Sequence, residues 1–512
     1  MKKTVKPQLL DLLKTPRLYF YAAFIFANLL FTRQILQNNG LNCFVWVALI
    51  EIIVEGLFIF FLERADKKGY PLEKRFLILA IGLGALFIIF LPPGQSPDEI
   101  THYRRAYGIS EGVLVATEPI NELGAIGSPI PIDANEVITN APERGTYAKL
   151  FSWLLKPESE EKSNQPYTNF ALYNFICYLP QTLAALIGKV LGFSTLAIAY
   201  LMKIFDFIVW LILTYFAIKL IPKFKTFIAF VALLPITIQE ATSLSPDSLA
   251  IGLGLFMISY VLYLAHSKKD LLRKRELIIL YVMAILAGLC KIVYFPLALL
   301  YLAIPKERFG SKKQKLIHLC AILSLTLLIN LSWLSISSGL LIEFNPGVDP
   351  KAQVSGVLSD PLKFIMVIFR TIVDQNQLWL NNMLGITLGS FNFNLSSLHF
   401  LFSFGIFIIL IVQRNETLKI TLFSRIIFGM VFVMIVALIF ASLYVEWTAY
   451  GAGTIDGVQG RYFLPILPLI PIVISRKPSS LKNPALISER TILSYSLFVS
   501  IIACVTFFAQ NL

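Results

Sequence analysis

LPPGQSPDEITHYRRAYGISEG, residues 91–112, stands directly behind a strongly apolar run and gathers two carboxylates, a histidine and two arginines between positions 98 and 105. Charge of this density at the end of a membrane-length segment points to chemistry at a membrane edge. Ser96, Pro97, Asp98 and Glu99 predict a helix start, with the Ser hydroxyl as N-cap, Pro at the first helical position and Glu99 closing a capping box. On such a helix Asp98 and His102 share one face, as do Glu99 and Tyr103. Asp98 and Glu99 would also serve simply to cap the helix and offset its dipole, but capping does not require His102, Arg104 and Arg105 behind them.

Composition fixes the class around this stretch. The chain has 512 residues, 56% of them hydrophobic and 15% charged, with a mean hydropathy of +0.72, far from a soluble globular balance. The formal charge of +13 would suit nucleic acid, yet the Lys and Arg cluster in short segments between apolar runs, as the positive-inside rule produces. Nucleic-acid binding is therefore set aside. Cys43, Cys177, Cys290, Cys320 and Cys504 are scattered singly through apolar sequence, which indicates neither a disulfide framework nor a zinc site. The basic start MKKTVKPQLLDLLKTPR runs into a full-length apolar segment without a small-residue cleavage site, so a retained first span is expected.

Apolar runs at 17–36, 42–62 and 76–92 each approach the ~20 residues that cross a bilayer core. The basic ERADKKGYPLEKR between the second and third assigns that loop and the N-terminus to the cytoplasm, which puts residues 93–168 outside as a subdomain with eleven acidic against six basic residues. The apolar stretch 169–191 reads as interfacial, because a full crossing there would place SKKDLLRKRE outside. Crossings follow at 194–221, 226–239 and 246–266, with QEATSLSPDS as an exposed outer turn that repeats the Ser-Pro-Asp start at Ser245, Pro246 and Asp247. Residues 277–305 must leave and return within about 29 residues, which predicts two half-length helices meeting near Cys290, Lys291 and Tyr294. Lys291 then faces an anion near the outer edge, or snorkels without a ligand. A second outer region, 339–397, offers Asp374, Gln375, Asn376, Trp379, Asn381 and Asn382 to sugar hydroxyls and ring faces. The third, 446–460, leads into Arg461, Tyr462 and Phe463. The whole predicts an all-α polytopic membrane protein of about thirteen transmembrane helices: an N-terminal pair (1–75), a core (76–475) and a C-terminal loop and last span (476–512).

Four motifs, PPGQSPDEITHYRRAYGISEG, SLSPD, CKIVYFP and IDGVQGRYFLPILPL, in that order and with these gaps, resemble a family of bacterial multi-spanning proteins known as domain of unknown function 2142. The layout is more distantly similar to the integral-membrane glycosyltransferases of the GT-C superfamily, whose first large outer loop carries an acidic motif just after a span. Here that motif follows the third helix instead of the first. The resemblance implies a GT-C-like bundle with interfacial helices in a bacterial cytoplasmic membrane. It also implies transfer of a sugar from a polyprenyl-phosphate donor to a cell-envelope glycan, lipid or protein acceptor, among membrane lipids. Such transfer needs a base for the acceptor hydroxyl and cations for the departing phosphate. Asp98 is the candidate base and Glu99 the alternate; Arg461 and Lys291 would hold the phosphate. His102 would orient Asp98, hydrogen-bond the donor, or serve structure alone. Arg104, Arg105, Asp247, Tyr294, Gln459 and Tyr462 complete the expected substrate-binding set, and the paired carboxylates leave room for a divalent metal of unknown ligand set. A transporter or flippase of lipid-linked sugars and a non-catalytic envelope assembly subunit are the alternatives.

Overall fold

The computed structural model describes residues 16–115, 126–138, 142–267, 271–337, 346–413, 420–474 and 486–512. Parts of the segments expected in the cytoplasm, at 1–15, 268–270, 414–419 and 475–485, and of the expected outer regions, at 116–125, 139–141 and 338–345, lie outside the described residues.

The first three apolar runs fold as helices Pro16–Asn38 (α1), Phe44–Lys67 (α2) and Leu72–Phe90 (α3). On α3 the fully buried Phe76, Leu79, Ala80, Leu83 and Phe87 recur at helical spacing, so one stripe faces the core. The subdomain behind it holds Glu99–Ser110 (α4), an antiparallel pair of Gly127–Pro131 (β1) and Lys162–Pro166 (β2) with Gly127 opposite Pro166, Ala134–Val137 (α5) and Thr146–Leu154 (α6). Two 3₁₀ turns then lead into Leu179–Val190 (α7). At ~1.5 Å per residue this helix reaches ~18 Å against the ~30 Å of a hydrocarbon core, in keeping with an interfacial or partly inserted element.

Thr195–Leu220 (α8) begins at Ser194, whose hydroxyl accepts from the Ala197 N–H at 3.1 Å. The single crossing expected over 226–239 is instead two short helices, Lys225–Ala232 (α9) and Pro235–Ala241 (α10). Proline at 235 cannot donate into a continuing helix, so the chain breaks before it. Asp247–His266 (α11) packs most extensively against α8. Lys274–Cys290 (α12) then stops at Lys291, whose backbone is extended (φ −151°, ψ 124°), and a 3₁₀ run over Ile292–Ala303 carries Pro296 inside it. The break thus falls at the residue where two half-length pieces were expected to meet.

Lys312–Ser337 (α13) and Pro350–Ser359 (α14) precede Pro361–Met383 (α15), 23 residues of helix in the region read as a sugar-binding loop. Its Asn382 is buried, with the side-chain N–H donating to the Thr387 carbonyl. Thr387–Leu388 (β3) and Phe393–Asn394 (β4) pair, and Ser397–Val412 (α16), Leu422–Glu446 (α17), a 3₁₀ run over Gly460–Ile466, Leu469–Ile474 (α18) and Glu489–Asn511 (α19) complete the chain. Of the roughly thirteen expected crossings, seven are helices long and apolar enough to cross alone among the described residues: α1, α2, α8, α11, α13, α17 and α19. Others are short or broken at prolines. α11 and α19 are buried on nearly every face, the behaviour of central helices in a bundle.

Candidate functional site

The helix behind the opening motif starts at Glu99, not Pro97. Asp98 takes the left-handed conformation (φ 64°, ψ 5°) and its side chain makes no cap hydrogen bond; Ser96 Oγ is buried with no hydrogen-bond partner among the described residues. Only the reverse half of the predicted capping box survives. Glu99 Oε2 accepts from the backbone N–H of Ser96 at 3.0 Å and of Gly94 at 2.7 Å. Glu99 Oε1 accepts from the Leu244 N–H at 2.9 Å and lies 3.9 Å from Lys203 Nζ. Completely buried and committed to three backbone donors, Glu99 fastens two loops together and has no free face for a substrate. Asp98 and Glu99, read as base and alternate, therefore face different surroundings.

The left-handed turn sends Asp98 the other way. Its side chain is 44% exposed, and Oδ2 lies 2.9 Å from Arg461 Nη2. Arg461 is buried, and its Nη1 lies 3.2 Å from Glu240 Oε2 and 3.6 Å from Asp247 Oδ2. Asp247 Oδ1 also pairs with Lys291. Lys291 Nζ sits 4.6 Å from the centre of the Tyr462 ring, and the Tyr294 hydroxyl donates to the Tyr462 carbonyl at 2.9 Å. Asp98, Lys291 and Arg461, the candidate base and the two phosphate-holding cations, meet here, and Asp247 of the substrate-binding set joins them, with Tyr294 and Tyr462 bracing the group. Gln459 stands at the entry to the Arg461 segment with its Oε1 buried and lacking a hydrogen-bond partner among the described residues.

Two neighbours set the position of Arg461. Its backbone N–H donates to Asn382 Oδ1 at 3.0 Å. A Cβ on the preceding Gly460 would come within 2.1 Å of the Trp379 carbonyl and 2.3 Å of the Met383 nitrogen, so only glycine lets this segment lie against α15. Three carboxylates surround two cations here, mostly out of water. Each charge is tolerated because its neighbours oppose it, and removing one would strand the others.

His102 is buried between the rings of Phe170 and Tyr173. Nδ1 is 2.7 Å from the Tyr178 hydroxyl and Nε2 is 3.4 Å from Ser245 Oγ. Burial pushes its pKa down to about 3, so the ring is neutral at pH 7. Its bonds run to Tyr178 and Ser245 rather than to Asp98, so it ties α4 to the second Ser-Pro-Asp turn instead of orienting the carboxylate.

Arg104 and Arg105 do not join the cluster. Arg104 donates to the Pro166 carbonyl at 3.1 Å and Asn135 Oδ1 at 2.8 Å; Arg105, fully buried, donates to the carbonyls of Val113 and Leu114. These bonds stay within the subdomain, to three main-chain carbonyls and the Asn135 side chain, and away from Arg461. The turn QEATSLSPDS, expected to be exposed, is buried, with Gln239, Glu240, Thr242 and Ser243 at 0% exposure. Glu240, the partner of Arg461, escaped the sequence reading for that reason. The signal was a lone carboxylate in the otherwise uncharged stretch 226–246, a pattern that marks function at membrane depth. Among the described residues no three or more His, Cys, Asp or Glu side chains are grouped to hold a metal ion; the carboxylates gather around Arg461 instead.

Membrane-length helices around an ion network at one end of the bundle define a polytopic all-α membrane protein. Residues 81–470 match the family described as "Predicted membrane protein (DUF2142)", well over half of the chain, and the protein belongs to that family. Every residue of the Arg461 cluster lies inside the matched range, whereas α1, α2 and α19 lie outside it. No curated protein and no solved structure matches the chain.

Proposed function

We propose that the protein is a membrane glycosyltransferase of GT-C type, moving a sugar from a polyprenyl-phosphate donor to a cell-envelope glycan, lipid or protein acceptor. The site would open on the outer face of a bacterial cytoplasmic membrane, with the basic loops and the N-terminus in the cytoplasm. One observation carries this reading: Asp98, half-exposed, is the outward member of an ion pair whose other member, Arg461, is buried and fixed by Glu240.

Asp98 is the exchangeable partner of Arg461 because, among the described residues, it is the only exposed carboxylate on that guanidinium. An incoming donor phosphate takes its place on Nη2, where a charge-assisted contact is available, and Asp98 is released toward the acceptor. Asp98 then accepts the acceptor's hydroxyl proton as the acceptor oxygen bonds to the sugar's anomeric carbon. The bond from that carbon to the phosphate oxygen breaks with its electron pair going to the phosphate, whose charge Arg461 and Lys291 oppose. General-base help of this kind is worth about 10²- to 10⁴-fold.

A transporter of lipid-linked sugars is the second reading. The observation in its favour is buried charge within the spans: Glu51 and Glu55 on α2, and Lys203 and Asp206 on α8. Purified protein in lipid, given polyprenyl-phosphate sugars and an envelope acceptor, separates the two. Glycosylated product supports the enzyme. Movement of the labelled donor between leaflets, with no product from any such donor, overturns it.

A further inference from the structure

On α15 the exposed apolar residues Leu362, Ile365, Met366, Phe369, Ile372 and Val373 recur at three- and four-residue spacing, a stripe suited to the interfacial plane of a bilayer. Leu358 of α14, 75% exposed, extends it. Beside the stripe, Lys363, Met366, Val367 and Arg370 form one wall of a groove of about 310 Å³, and Gly451 to Gly453 form the other. Lys363 and Arg370 are two helical turns apart on one face. Neither side chain has a hydrogen-bond or ion-pair partner among the described residues, unlike the cations around Asp247. The glycine wall leaves the groove open: Gly451 has φ +74° with nothing within 4 Å of a Cβ, and a Cβ on Gly453 would come no closer than 3.6 Å to Arg370 Nη1.

We propose that this groove binds the phosphate headgroup of an anionic membrane lipid, separately from the Arg461 site. Two free cations fit a phosphodiester. Met366 belongs to both the groove and the apolar stripe, so a lipid held by its headgroup there has its acyl chains already alongside the surface that faces hydrocarbon. The volume stands at the lower edge of the ~300–1,000 Å³ of small-molecule clefts, enough for a headgroup and its glycerol but not for a whole lipid. The same helix supplies Asn382 to the Arg461 backbone, so the bound lipid would fix the helix that positions the ion network.

The test is native mass spectrometry of the full chain released from micelles containing phosphatidylglycerol or phosphatidylcholine. Wild type should retain one phosphatidylglycerol, K363A/R370A should hold it about tenfold or more weakly given the contribution of each cation near an anionic surface, and K363R/R370K should restore it. Thermal melting confirms that each variant is folded, and both positions are exposed. Equal retention by wild type and K363A/R370A, or equal retention of phosphatidylcholine, overturns the proposal. Displacement of the lipid by millimolar inorganic phosphate would assign the groove to a soluble anion and overturn the lipid assignment.

Discussion

Ser-Pro-Asp occurs at 96–98 and again at 245–247, and the two copies fold differently. At the second, Asp247 is the first residue of α11, and Ser245 Oγ accepts from the Asp247 N–H at 3.2 Å, as a turn-forming serine should. At the first, the serine hydroxyl has no hydrogen-bond partner among the described residues, the aspartate is left-handed, and the helix waits until Glu99. The difference lies in the residue after each aspartate, Glu99 in one copy and Ser248 in the other. Glu99 draws the Gly94 and Ser96 amides onto its own carboxylate and reaches across to Leu244, one residue before the second copy. Asp98 is thereby turned out toward solvent while Asp247 is buried against Lys291. One tripeptide thus yields an exposed carboxylate and a buried one, both on Arg461. A local motif specifies a helix start only when no neighbour claims its donors.

The largest effect should come from cutting the tie that makes the copies differ. Glu99→Ala strands three buried backbone donors, each hydrogen bond to a charged group being worth ~1.5–3 kcal/mol, and leaves Lys203 without its counter-ion and with only the Leu91 carbonyl, so the unfolding midpoint in detergent should drop sharply and Glu99→Gln should recover part of it. An unchanged midpoint in Glu99→Ala would mean that the first copy keeps its shape without this carboxylate. Arg461→Ala sharpens the comparison from the other side, since both aspartates lose their shared partner. Donor binding, measured by calorimetry with a polyprenyl-phosphate sugar, should weaken by ~1.5–3 kcal/mol; undiminished affinity would take the phosphate away from this cluster.

The smallest effect is one of slope. His102 joins α4 to the second copy as a neutral ring, with a folded pKa of about 3 against an ordinary value of 6.5. Its neutral-state stabilisation is therefore complete above ~6.5 and lost as pH falls from there toward 3, at no more than ~1.4 kcal/mol per pH unit. His102→Gln keeps hydrogen-bonding groups but does not titrate, so its melting temperature should fall less than that of wild type between pH 7 and pH 4.5. Parallel curves would mean that the ring is hydrated in the folded protein.

Much of this was legible before the fold. Hydropathy and basic loops gave the class, the shortness of 277–305 gave the break at Lys291, and residues at the ends of apolar runs gave the meeting of Asp98, Lys291 and Arg461. What went unread shares one physical origin: a sequence does not reveal which backbone groups lack partners. Arg104, Arg105 and Glu99 looked like site residues because they are charged, yet each is taken by main-chain carbonyls or amides. Glu240 was hidden in a turn whose polar composition suggested water, although the surrounding helices bury it. The helical state of 361–383 was masked by the amides at its C-terminal end, of which the buried Asn382 serves a packed junction at Gly460 and Arg461.

Asp98→Asn tests the central claim most directly. Asparagine tolerates the left-handed backbone at 98, so the turn should persist where Asp98→Ala would strain it, and only the proton acceptor and the charge on Arg461 are removed. With a polyprenyl-phosphate sugar, donor binding should be retained or tightened, because the phosphate no longer competes with a carboxylate for Nη2, while transfer by the purified protein in lipid should fall by about 10²-fold or more. Transfer at the wild-type rate would contradict the account and leave Asp98 as a turn residue paired to Arg461.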